Sequence, residues 1–79
     1  MLDDTWRDFP LFACVEFNKE TEEQYPVFQD INLAVRKDMV GGFEPYWLDE
    51  VVIVWFKYGQ SQHFIKANYQ EFYDWVTSD

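Results

Sequence analysis

Hydrophobic positions along this chain are densest in one stretch, Val51-Val52-Ile53-Val54-Trp55-Phe56, where every residue is β-branched or aromatic. Such residues suit a pleated, packed surface and suit a helix poorly. Both faces of the stretch are apolar, with Val51, Ile53 and Trp55 on one and Val52, Val54 and Phe56 on the other. That pattern predicts a central strand with something packed on each side. Gly59-Gln60-Ser61 reads as a hairpin turn, and Gln62-His63-Phe64-Ile65-Lys66 as the returning strand. Asn68 is a good N-cap, with Glu71 three residues on in a capping-box-like pattern. The spacing then predicts a helix over Tyr69 to Val76, with Tyr69, Phe72, Tyr73 and Val76 on one stripe and Trp75 beside it.

The first half of the chain is less regular. Met1 to Pro10 is an acidic lead-in holding Trp6 and Phe9, read as one helical turn or an extended arm and punctuated by Pro10. Leu11 to Asn18 reads as a strand, with Leu11, Ala13, Val15 and Phe17 on one face and Phe12, Cys14 and Glu16 on the other. The polar run from Asn18 to Gln24 ends it. Pro26 to Met39 supports two readings. As a helix it places Val27, Phe28, Ile31, Ala34 and Val35 on one stripe, with Pro26 at the start, Arg36 and Lys37 in the last turns and Gly41-Gly42 as a stop. As a strand, Ile31, Leu33 and Val35 alternate with Asp30, Asn32 and Ala34. The start and stop signals favour the helix. Gly41 to Glu50 reads as a loop. The expectation is a single acidic α+β domain spanning residues 1–79, with an antiparallel or mixed sheet and a helix packed on one face. Its order is β-α-β-β-α, or four strands plus one C-terminal helix.

Composition changes the picture in two ways. Aromatic residues make up 22% of the 79 residues, enough to build a core in a short chain and to argue against disorder. The surplus of rings also suggests surface anchors for a partner. Acidic residues outnumber basic ones 15 to 6, giving a formal charge of −9. Such a field repels nucleic acid and anionic membrane and favours a basic partner, although acidity also serves solubility. The sole cysteine, Cys14, permits no internal disulfide and reads as a packed small hydrophobe. No run approaches a membrane span, and Met1-Leu2-Asp3-Asp4 lacks the basic region of a signal peptide. The expected location is therefore the cytoplasm, that of the host cell if the chain is phage-encoded.

The search for chemistry yields no catalytic, metal or cofactor signature. His63, the sole histidine, has no second histidine or nearby cysteine for a zinc site. The carboxylate pairs Asp3-Asp4, Glu22-Glu23 and Asp49-Glu50 lack the alternating spacing of a calcium loop. Gly41-Gly42 is too short for a phosphate loop. Lys19, Arg36, Lys37, Lys57 and Lys66 are scattered rather than clustered, which disfavours direct nucleic-acid binding. What remains is aromatic residues among acids. Phe43, Glu44, Tyr46, Trp47, Asp49 and Glu50 fall in one segment, with the composition of a contact patch carrying a charged rim.

In size and charge the chain resembles the small acidic inhibitors of phages and mobile elements, including nucleic-acid mimics and anti-CRISPR proteins, and also toxin immunity proteins. No motif carries that resemblance, and it assigns no residue a role. It implies a non-enzymatic inhibitor that mimics nucleic-acid charge and binds a basic partner, such as a nucleic-acid-binding protein or nuclease. The competing expectation is a small structural or accessory assembly protein acting through homo-oligomerisation, for instance as a homodimer.

Overall fold

The computed structural model describes residues 4–78. Within it the chain runs through β1 (Trp6–Asn18), β2 (Glu23–Arg36), β3 (Val40–Pro45), β4 (Val51–Phe56), β5 (His63–Lys66) and the helix α1 (Tyr69–Thr77). The strands form one antiparallel sheet in the order β2-β1-β5-β4-β3, and α1 packs on one face of it. The fold is α+β.

β4 lies inside the sheet, between β5 and β3, as its two apolar faces require. Val52 and Val54 point to the helix side and are fully buried, joined there by Ile65 of β5 and Val35 of β2. The helix closes this core with Phe72 and Trp75, which are 2% and 3% exposed. Phe9 brings β1 into the same layer, its ring centroid 5.4 Å from that of Phe72 and 5.8 Å from that of Trp75. The helix starts where its cap predicts, with the backbone N–H of Glu71 donating to Asn68 Oδ1 at 3.0 Å.

Three segments depart from the sequence reading. Residues 26–39 are strand for most of their length, followed by one turn of 3-10 helix over Lys37–Met39. The alternating pattern won, because Leu33 and Val35 pair with Phe9 and Arg7 and sit toward the core. Ile31, which the helical stripe would have buried, is exposed. The expected loop from Gly41 to Glu50 begins as β3 instead. Gly41-Gly42 is no helix stop: it lies at a register shift between Val40 and Gly42 opposite β4. The Trp55 indole lies so close over Gly42 that a Cβ there would be 2.3 Å from it. Lastly, Pro10 does not end an element. It pairs with Asn32 inside β1, next to the first of two register shifts, a position where a missing N–H is tolerated.

β1 and β2 are far longer than their neighbours. β1 meets β5 at Leu11, opposite Ile65, and then continues to Asn18 with β2 as its partner. Residues 13–28 are therefore a two-stranded arm. Cys14, expected to be packed, is exposed on this arm because no other layer covers it. The turn at its tip is held by Asn18 Oδ1, which accepts from the backbone N–H of Glu20 and of Thr21, and Glu22 takes a left-handed φ of 57°. Among the described residues no helix is long and apolar enough to cross a membrane.

Candidate functional site

The two register shifts, between Pro10 and Phe12 and between Phe12 and Cys14, bend the hairpin where it leaves the sheet. Phe12 packs there with Phe28, Tyr46 and Phe64 at ring separations of 6.3, 5.7 and 6.2 Å. Lys66 lies 5.3 Å from the Phe28 ring centroid. A groove of about 740 Å3 opens between the arm and the β3–β4 connection, lined by Glu23, Gln24 and Pro26 on one side and by Trp47, Leu48, Asp49 and Glu50 on the other.

The residues singled out as a contact patch divide between three places. Trp47, Asp49 and Glu50 share this groove. Trp47 is 61% exposed, and its ring rests 5.6 Å from that of Tyr46. Tyr46 is half-buried and joins Trp47 to the Phe12–Phe64 cluster. Glu50 has a left-handed φ of 68°, which closes the turn into β4. Phe43 goes elsewhere. It sits on β3 opposite Val54 and faces the helix, its ring 5.1 Å from Phe72 and 5.6 Å from Tyr69. Glu44, one residue on, is exposed opposite Ile53 on the other face. Glu23, Gln24 and Pro26 were not visible as site residues in the sequence, because only the folded arm brings them beside Trp47.

Charge is distributed unevenly over the molecule. Among the described residues the ion pairs are Arg7–Asp4 at 2.6 Å and Arg36–Asp38 at 2.8 Å. Both lie at the end of the hairpin where Trp6 pairs with Arg36. Arg7 also lies 5.0 Å from the Trp75 ring centroid, and the Trp75 indole N–H donates to the Asp4 carbonyl at 2.7 Å. The Arg7 guanidinium, hydrogen-bonded to Asp4, holds that carboxyl below its ordinary value and is itself raised in return. Lys37 Nζ donates to the carbonyl and hydroxyl oxygens of Ser78 just past the helix C-terminus, where a cation suits the helix dipole. Arg7, Arg36 and Lys37 thus lie at one end, whereas Lys66 sits against Phe28 of the arm.

At the other end Glu16, Glu20, Glu22 and Glu23 stand on or beside the arm with Lys19 as the cation of that segment, and Asp49 and Glu50 face them across the groove. None of these six carboxylates forms an ion pair with a described residue. Glu16 accepts a hydrogen bond from the Tyr25 hydroxyl at 2.9 Å, which raises the Tyr25 phenol above its ordinary value. Phe17, 55% exposed, and Tyr25 add ring surface to the same arm. Among the described residues no three His, Cys, Asp or Glu side chains are placed to hold a metal ion. His63 is half-buried on β5, its ring 5.5 Å from that of Phe56. Compared with protein families, with curated proteins and with solved structures, the chain has no significant match.

Proposed function

We propose that this protein is a non-enzymatic binding module that engages a basic protein through the arm and the β3–β4 connection. The proposed partner is a nucleic-acid-binding protein or nuclease whose phosphate-binding surface it occupies. The observation that supports this reading is the separation of charge. Arg7 and Arg36 pair with acids at the Trp6–Arg36 end, while six carboxylates at the arm end form no ion pair with a described residue and stand beside exposed Trp47, Phe17 and Tyr25. Uncompensated carboxylates on a rigid support present fixed negative charge where a basic groove expects phosphates. Their field speeds encounter, and the rings fix the docked register. Cytoplasmic residence, of the host if the chain is phage-encoded, belongs to the same proposal.

The test is competition. The chain should bind purified basic nucleic-acid-binding proteins, with an association rate that falls steeply as salt rises. An oligonucleotide should displace it. Binding that ignores both salt and oligonucleotide would remove charge mimicry. Self-association as the concentration-dependent, salt-insensitive behaviour of the chain would favour the assembly reading instead.

A further inference from the structure

We propose that the groove between the arm and the β3–β4 connection receives a lysine- or arginine-bearing segment of the partner. This rests on the basic-partner reading above and adds where the segment lies. On the arm side the groove is lined by Gln24 and Pro26, two residues apart on one face of β2, together with Glu23.

Across the groove, side chains suit a cation. The exposed Trp47 ring, backed by Tyr46, offers a face to a guanidinium or ammonium group. Leu48 and Pro26 give apolar surface for the aliphatic stem of that side chain. Glu23, Asp49 and Glu50 flank it, and among the described residues no basic side chain lines the groove. A second copy of this chain is a poor occupant, because two bodies of charge −9 repel.

The probe is a synthetic eight-residue peptide alternating arginine and valine, titrated into the full chain at low salt. An otherwise identical peptide with glutamate in place of arginine is the control. The backbone amides of Glu23 and Gln24 and the Trp47 indole resonance should shift. Trp47→Ala should weaken binding on the order of tenfold. The exposed pair Asp49→Asn with Glu50→Asn should do the same without loss of folding, since asparagine tolerates the left-handed φ at position 50. A matched pair at the arm tip, Glu20→Gln with Glu22→Asn, removes the same charge outside the groove and should cost about twofold or less. Equal losses from the two pairs, with no shift at Glu23, Gln24 or Trp47, would show diffuse attraction and overturn the groove proposal while leaving the basic-partner reading intact. So would failure of the peptide to bind under conditions where folded basic proteins do. Loss of binding to every basic protein as well would sink the parent reading.

Discussion

The helix-backed half of the molecule and the hairpin arm use the same residue types to opposite ends. Under α1, Phe9, Phe43, Phe72 and Trp75 pack on one another at 5.1 to 5.8 Å, while Tyr69 and Tyr73 on the helix stay partly exposed. Acids at the nearby hairpin end pair with arginines. On the arm and the β3–β4 connection, Phe17, Tyr25 and Trp47 are exposed and the acids form no ion pair with a described residue. A ring covered by a second layer stabilises the fold. A ring on a two-stranded arm gains little from it and remains available to a partner. The contrast is therefore one of layering: β1 outruns β5 at Leu11, and what lies beyond that point has no helix to pack against.

The comparison breaks most sharply if charge is tolerated equally in both halves. Val52→Asp or Val54→Asp places an unpaired carboxylate at a fully buried position of β4. The expected cost is about 4 kcal/mol or more, enough to abolish cooperative unfolding in a domain of ordinary stability. Cys14→Asp on the arm should cost about 0.5 kcal/mol or less, because that side chain is exposed. Urea unfolding of the three variants decides it. Similar midpoints for all of them would mean that the arm and the core are not distinct.

Next in size is Gly42→Ala. Its Cβ would meet the Trp55 indole at 2.3 Å, so the indole must move. Overpacking of this kind costs about 1–3 kcal/mol. An unchanged thermal midpoint would show that Trp55 has room to shift. This glycine also explains what the sequence withheld. Gly41-Gly42 after Arg36 and Lys37 has the form of a helix terminus, yet the second glycine is there to admit a side chain from a strand thirteen residues away. The stripe Val27, Phe28, Ile31, Ala34 and Val35 has helical spacing, but Leu33 and Val35 are set by pairing with Phe9 and Arg7, contacts that no local pattern reports. β4 and β5 were legible because they pair across a short connection, and α1 because it carries its own cap at Asn68. In the candidate site, Trp47, Asp49 and Glu50 were legible as ring and acids in one short stretch. Phe43 groups with them only where the stretch is a loop, and a strand sends Phe43 and Glu44 to opposite faces.

Smaller still is Asn68→Ala, which removes the acceptor for the Glu71 N–H and should lower stability by about 1 kcal/mol. Glu71→Ala should cost less, since Glu71 contributes its backbone N–H to the cap, which alanine retains, and its carboxylate loses only a favourable place in the first turn. Melts of both variants that overlay the parent would place the helix start elsewhere.

The smallest effect lies in the clasp between Asp4 and the helix. Arg7 donates two hydrogen bonds to the Asp4 carboxylate, at 3.0 and 2.6 Å, and these hold its pKa below the ordinary 3.8. A carboxyl whose pKa is depressed by folding stabilises the folded state above its unfolded value. That contribution is lost as pH falls through the lower, folded value. Asp4→Asn should therefore lower stability slightly at neutral pH and flatten the part of the acid limb that lies below 3.8. The bond from the Trp75 indole N–H to the Asp4 carbonyl uses the backbone and survives the substitution, so the clasp itself stays closed. Both groups are solvent-exposed, which keeps the effect small. Acid unfolding of Asp4→Asn beside the parent checks it: limbs of the same shape would mean that the Asp4 carboxylate is no more engaged in the folded state than in the unfolded one.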